Sequence, residues 1–314
     1  MAKILVTGGT GFIGNELVKE LSKRHEVTVF DRTIKHVTKG VKYIKGDITD
    51  IRSVKKYVKG RDFVYHLAAV LDESLPKKEI FDINVGGTIS VLEACKENNI
   101  KRLIYLSTVG VMGEVNGRAD EKWPYNPQTN YEKSKAMAER TVLEYYKRYK
   151  LPVIIIRSAL VYGANKYTLK ILEKAKKPFP IIGSGKNKFH VVYVKNLIDA
   201  LVKSMKNGKD GSIYIIADDD AHTYEEFYKI IREELGVDKE PSHIPVWFAN
   251  FIAFLYKMSG RKSIVTKEHI NRLIRNRWYR ITKAKRYLKY KPKYDLRKGI
   301  KETIKYFKSQ GFLE

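Results

Sequence analysis

Residues 3–14 read KILVTGGTGFIG, and the order of those letters decides the fold. A short apolar run, KILVT at 3–7, gives way to Gly8, Gly11 and Gly14, after which a helical period sets in through FIGNELVKELSKR. Glycine permits a tight turn and lets backbone approach a pyrophosphate closely, and the first N–H groups of the following helix face that charge. The strand-to-helix setting is what this mechanism demands, so the stretch predicts a dinucleotide-binding unit. A nucleotide triphosphatase loop would end in Gly-Lys-Ser/Thr, which is absent.

Outward from this turn, further strands are expected at EVTVF (26–30), VKYIK (41–45), DFVYHL (62–67), RLIYLS (102–107) and PVIIIR (152–157), with helix-period stretches between them. Near-continuous apolar runs fit a parallel sheet covered on both faces, hence an α/β, doubly wound fold. After Gly163 the order loosens. HVVYV near 190 and SIYIIA near 212 are expected to rejoin the main sheet, while most of 218–314 reads as helices. The expected division is interleaved: 1–163 and 186–217 form the dinucleotide-binding domain, and 164–185 with 218–314 form a smaller, mostly helical substrate domain. Ligands would bind in the cleft at the carboxyl ends of the strands.

Composition sets outer bounds. A hydrophobic content of 43% excludes disorder for a chain of 314 residues. Cys95 is the only cysteine, so no intramolecular disulfide and no cysteine-based metal cluster can form. The histidines lack ligand spacing, and no metal is expected. No secretory signal is visible, and the longest apolar stretch, residues 244–256, falls short of the about 20 residues a spanning helix needs. A cytoplasmic protein is expected. The net charge of +26 comes mostly from lysines spread along the chain, which a lysine-rich proteome explains; anionic nucleotides or an anionic membrane surface are the alternatives. No motif for specific nucleic-acid binding is present.

Individual residues carry the chemistry. Asp31, seventeen positions after Gly14 at the end of the second strand, suits the two hydroxyls of an adenosine ribose and favours NAD. Its neighbour Arg32 could pair with a 2′-phosphate, which keeps NADP open. Asp47 in KGDITD is a candidate partner for the adenine amino group, or else a helix N-cap. Tyr131 and Lys135 stand four apart in NYEKSKAMAE, on one face of an expected helix. A neighbouring ammonium favours the phenolate of a tyrosine that ordinarily ionises near pH ~10, which suits acid/base work.

TGGTGFIG, Asp31, GDITD, His66-Leu67-Ala68-Ala69, NVGGTISVLEAC, YLSTVGVMG, Tyr131-x-x-x-Lys135 and Arg157-SALVYG, in this order, resemble the extended short-chain dehydrogenase/reductase family across nearly the whole chain. The resemblance implies a Rossmann domain holding NAD, or NADP, a C-terminal substrate domain, and a catalytic set of Thr108, Tyr131 and Lys135. It places Phe12, Ile13, Ile48, Leu67, Ala68 and Ala69 along the cofactor beside Gly8, Gly11, Gly14, Asp31, Arg32 and Asp47, with His66 packed near the nicotinamide half. Ser107, one position before Thr108, reads as a strand-end residue or a substrate contact. Helical segments 79–98 and 131–149 resemble a homodimer interface.

Departures from the family pattern narrow the substrate. Sugar-nucleotide 4,6-dehydratases carry Asp-Glu after the threonine for the elimination, where this chain has Val109-Gly110. Where sugar-nucleotide enzymes place an arginine for the diphosphate, this chain has Phe189 and then His190, both candidate substrate residues; Met112 and Ser158 also depart from the pattern. The segment from His243 onward is similar to the branch of 3β-hydroxysteroid dehydrogenases and dihydroflavonol reductases, where the helix after Ile-Pro roofs the substrate. Between Lys257 and Lys298, next to the aromatic stretch 247–256, stand sixteen basic and two acidic residues. The aromatics are expected to build the core of the small domain and the lysines a solvated face, with a membrane-interface contact as the alternative. The leading expectation is an NAD(P)-dependent oxidoreductase interconverting a secondary alcohol and a ketone on a small or lipid-like molecule. A sugar-nucleotide 4-epimerase using the same residues, and a dinucleotide sensor without turnover, are the rivals.

Overall fold

In the computed structural model, which describes residues 1–35, 37–177, 180–237, 240–259 and 266–313, the apolar runs become strands because both of their faces are covered. The first half runs β1 (Lys3–Thr7), α1 (Phe12–Leu21), β2 (Glu26–Asp31), β3 (Lys42–Lys45), α2 (Ile51–Val58) and β4 (Phe63–His66). Then α3 (Lys77–Phe81) passes through a π-helical turn, Asp82–Gly86, into α4 (Gly87–Glu97), followed by β5 (Arg102–Thr108), α5 (Asn130–Tyr149) and β6 (Val153–Ser158). Along β1 the side chains alternate: Ile4 and Val6 enter one apolar cluster with Leu17, Ile104 and Ile154, and Leu5 enters the other with Phe30, Leu92 and Ile155. The seven-stranded sheet is parallel throughout, in the order β11-β6-β5-β4-β1-β2-β3, where β11 is Ser212–Ile216. Strand order reverses between β1 and β4, which opens a crevice at their carboxyl ends.

SIYIIA joins this sheet as β11, but HVVYV does not. Its core, β10 (Val191–Tyr193), pairs instead with β7 (Leu160–Tyr162) in a separate two-stranded ladder. The place beside β6 is taken by β11, and β10 pairs with β7, which follows directly on β6 and lies outside the main sheet. At the β11 edge the Ile215 N–H donates to Glu121 Oε1 at 3.0 Å. At the opposite edge β3 begins and ends in exposed lysines, Lys42 and Lys45.

The remaining elements are α6 (Lys166–Ala175), β8 (Ile181–Ile182), β9 (Lys188–Phe189), α7 (Val194–Ser204), β12 (His222–Thr223), α8 (Tyr224–Glu234), β13 (His243–Ile244), α9 (Val246–Met258), α10 (Lys267–Ile274) and α11 (Leu296–Ser309). Short ladders join β9 to β12 and β8 to β13. One continuous apolar cluster reaches from Ile4 to Leu313, so the C-terminal part shares the core of the sheet.

The α9 helix overturns the expectation that its aromatics build the core. Ala249 and Ala253 face inward against Ile182 and Ile270, while Trp247 (70% exposed), Phe251 (51%), Phe254 (57%) and Met258 (73%) face out. Small residues on the inner side let α9 lie close to α10, and the large side chains are left on the outside. Of the basic run from Lys257 to Lys298, residues 260–265 lie outside the described residues. Among the described residues no helix is long and apolar enough to cross a membrane.

Candidate active site

The glycine turn is held backbone against backbone. Gly8 has φ +73°, and a Cβ there would come within 2.6 Å of the Ala68 backbone nitrogen; a Cβ on Gly14 would meet the Gly8 carbonyl oxygen at 2.1 Å. Gly11 differs: a Cβ there would meet nothing nearer than Gly8 O at 3.4 Å. Gly11 N-caps α1, no side chain caps the helix, and its first turn has no acidic residue. The first-turn N–H groups therefore face outward beside an open glycine, a cradle that fits a pyrophosphate.

Asp31 ends β2 beside this cradle. Its Oδ2 accepts from the Thr10 N–H (3.0 Å) and hydroxyl (2.8 Å), so the glycine turn itself orients the carboxylate. Thr10 lies inside the quoted motif, yet nothing in its spacing marks it as the residue that holds Asp31. Arg32 is exposed. Asp47 closes a local turn by accepting from the N–H and hydroxyl of Thr49, and the N-cap of α2 is Asp50, which corrects the alternative given to Asp47. Ile48 is buried against Gly87.

Loop 67–70 follows β4, with the Leu67 N–H donating to Thr7 O at 3.1 Å and Ala68 and Ala69 half-buried. Asn84, inside the π-helical turn, ties this loop to α5: its Oδ1 accepts from Val70 N, and its Nδ2 donates to Val70 O and to Ser134 Oγ. The motif NVGGT contains this residue, but only the fold reveals what it joins. His66 is buried between Thr7 and Thr88. Because the Thr88 hydroxyl donates to Asn84 O, it accepts from His66 Nε2–H, and Nδ1 then accepts from Thr7. Burial pushes the His66 pKa down to about 3, so the ring is neutral.

Helix α5 carries Tyr131 and Lys135 and starts with a capping box of Thr129 and Glu132, which fixes its first turn. Lys135 is 3% exposed; its Nζ donates to Leu106 O at 2.7 Å and lies 4.2 Å from the centre of the Tyr105 ring. The ammonium is thus docked on β5 two residues before Thr108. Burial drives its pKa down to about 7, against the opposing pull of Glu139 one turn along. Tyr131 is half-buried, and its backbone N–H donates to Glu73 Oε1 at 3.0 Å. Thr108 ends β5, half-buried, and its hydroxyl oxygen accepts from the Gly110 N–H at 3.1 Å.

Two ion pairs brace α5, and neither was foreseen. Behind Lys135, Glu139 and Arg157 are 0% and 1% exposed, joined at 2.6 Å, and the Glu139 carboxylate also accepts from Ser107 Oγ (2.6 Å) and Tyr125 OH (2.7 Å). Ser107 accordingly lies inside this network. In front, Glu132 Oε2 accepts from the Gln128 and Thr129 N–H groups, and Oε1 pairs with Arg275 Nη1 at 3.2 Å. A Cβ on Gly110 would stand 3.2 Å from Glu132 Oε1 and 3.3 Å from Thr108 Oγ1, so this carboxylate and the threonine hydroxyl border one small space.

Phe189 and His190 are both packed inside. Phe189 is 5% exposed, meets Tyr224 and Phe227 edge-on, and has the Arg277 guanidinium 5.4 Å from its ring centre. His190 donates from Nε2 to Asp218 O, accepts from Tyr279 N and stacks on the Tyr279 ring; burial lowers its pKa to about 4.

The model of the NAD dependent epimerase/dehydratase family matches residues 4–217. The chain is 34% identical to a dTDP-D-glucose 4,6-dehydratase of Dictyostelium discoideum over 69% of its own length, spanning 58% of that longer relative. It is 30% identical to 3beta-hydroxysteroid-dehydrogenase/decarboxylase isoform 1 of Arabidopsis thaliana, over 96% of this chain and 79% of that one. Among solved structures, the UDP-glucose 4-epimerase of Thermotoga maritima superposes with a TM-score of 0.81 at 24% identity, over 98% of this chain and 99% of that one, which is a likeness of fold.

Proposed function

Because the chain belongs to the NAD dependent epimerase/dehydratase family, we propose that it catalyses hydride transfer between NAD and a secondary alcohol or ketone, with Thr108, Tyr131 and Lys135 as the catalytic set. The observation that carries this reading is the docking of the buried Lys135 ammonium onto Leu106 O, which fixes the face of α5 bearing Tyr131 against the end of β5 where Thr108 stands. NAD would be held by the α1 N-terminus at Gly11, by Asp31 through the ribose, and by loop 67–69, with Lys135 near the nicotinamide ribose; when bound it supplies the hydride acceptor or donor. Thr108, its oxygen already engaged by Gly110, directs its hydroxyl proton to the substrate oxygen. Tyr131 exchanges its proton with that oxygen, and the Lys135 charge favours the phenolate it leaves. Asp31, oriented by Thr10, supports NAD over NADP, since a 2′-phosphate would stand against the carboxylate; the exposed Arg32 is the one group that would favour that phosphate.

Dehydration, the activity named for the Dictyostelium discoideum relative, is opposed by the residues that follow Thr108. In place of the paired acid and base the chain has Val109-Gly110, and Glu132, which borders the same space as the Thr108 hydroxyl, is engaged by Arg275 and two backbone N–H groups. Epimerisation of a nucleotide sugar has one specific observation in its favour: Arg277 brings a guanidinium over Phe189, where such enzymes place an arginine for the diphosphate. The two readings separate on a panel of hydroxysteroid-like alcohols and UDP-sugars followed at the reduced-nicotinamide band. A dehydrogenase shows net reduction with an alcohol; inversion of a UDP-sugar without net absorbance change would replace the leading reading. The interleaved domain division is proposed with this function, as is a homodimer through α4 and α5, whose Ile89 and Met137 are exposed.

A further inference from the structure

We propose that the outer face of α9 is a docking surface for an anionic lipid bilayer. Soluble proteins expose isolated apolar side chains, but Trp247, Phe248, Phe251, Phe254, Leu255 and Met258 are all at least 40% exposed on one short helix. The inner side is filled by Ala249 and Ala253, so rotating the helix to hide the aromatics would place bulky rings where only alanines fit against Ile182 and Ile270. The face is therefore a fixed product of the packing.

Charge selects the occupant. No acidic residue occurs between Glu240 and Glu268, and α9 and α10 together contain Lys257, Lys267 and Arg272 against the single Glu268. The whole chain carries +26. An aromatic and aliphatic face, in a stretch of sequence poor in acidic and rich in basic residues, suits the boundary between acidic headgroups and acyl chains, where the rings would insert. With 13 residues, α9 is too short to span the bilayer, so it lies along the surface. This inference does not depend on the proposed reaction, and its test needs no turnover.

The full chain is mixed with vesicles of phosphatidylcholine alone and of phosphatidylcholine with phosphatidylglycerol, and bound protein is sedimented. A variant with Trp123→Phe and Trp278→Phe leaves Trp247 as the only indole, to be quenched by lipids brominated on the acyl chain. We expect binding to the phosphatidylglycerol vesicles, quenching of Trp247, and a loss of at least about tenfold in affinity for Phe251→Ser/Phe254→Ser, with melting unchanged because both side chains are exposed. Three results would overturn the proposal: no vesicle binding, binding equally strong in the double-serine variant, which would mean charge alone, or a dimer in lipid-free sedimentation that shields Trp247, which would make a second copy the occupant.

Discussion

Around Gly8 and Gly14 backbone packs on backbone, whereas Glu132 and Arg275 in front of α5, and Phe189 with Tyr224, Phe227 and Arg277 elsewhere, are joined by side chains. The first arrangement leaves almost no freedom of residue type, because any Cβ collides. The second can be rebuilt with different residues at modest cost. A cofactor shared by many reactions suits the first kind of site, and a substrate particular to one enzyme suits the second.

The sharpest test of this contrast acts between the two regions. Tyr131→Phe keeps the ring and removes the exchangeable proton, so turnover should fall by about 10²–10⁴-fold while dinucleotide affinity, measured by calorimetry, stays unchanged. Unimpaired turnover would remove Tyr131 from the mechanism. On the cofactor side two glycines should part company. Gly14→Ala drives a methyl into Gly8 O and should abolish soluble folded protein, whereas Gly11→Ala should melt close to the parent yet bind NAD about tenfold more weakly. Equal behaviour of the two would show that the Gly11 cradle is structural only.

The ion pairs rank next. Glu139→Gln strands the buried Arg157 charge and should cost about 3–5 kcal/mol in urea unfolding. Arg275→Gln, at a pair that still touches solvent, should cost about 1.5–3 kcal/mol and raise the KM of the substrate without altering that of NAD. An Arg275 effect confined to NAD would reverse the assignment of sides. The smallest effect is a slope. With its folded pKa lowered to about 7, Lys135 releases its proton in the folded state at a pH where the unfolded chain still holds it. Stability of the ligand-free protein relative to Lys135→Met should therefore rise with pH above about 7, by about 1.4 kcal/mol per unit, levelling near the ordinary lysine value. A flat difference would mean that the ammonium stays charged in its berth against Leu106 and Tyr105.

The contrast also explains what could be read in advance. The glycine turn, β1 to β6 and the Tyr131–Lys135 spacing are local patterns, and local sterics and burial on both faces decide them. Glu132 and Arg275 are 143 positions apart, and no periodicity points from one to the other. Glu139 falls on the same helix face as Lys135, yet nothing marks it as the partner of Arg157 and Ser107 until β5 and β6 lie side by side. HVVYV lies outside the main sheet, against expectation, because a short apolar run announces a strand without naming its neighbour. The aromatics of α9 face outward, against expectation, because burial of apolar residues is a tendency, and the small residues between them decide which face turns inward.

Glu121 has an effect well beyond the single N–H it accepts. The outermost strand of an open sheet is a template on which another polypeptide can build, and at β11 the Ile215 N–H that would start such growth is already engaged by a side chain of the same molecule. Arg157 holds the Glu121 carbonyl as well, so the same cluster that braces α5 keeps the stopper seated. At the far edge Lys42 and Lys45 repel an incoming strand by charge. Each flank of the sheet thus carries a feature that opposes strand-by-strand growth, a side-chain acceptor on one edge and positive charge on the other.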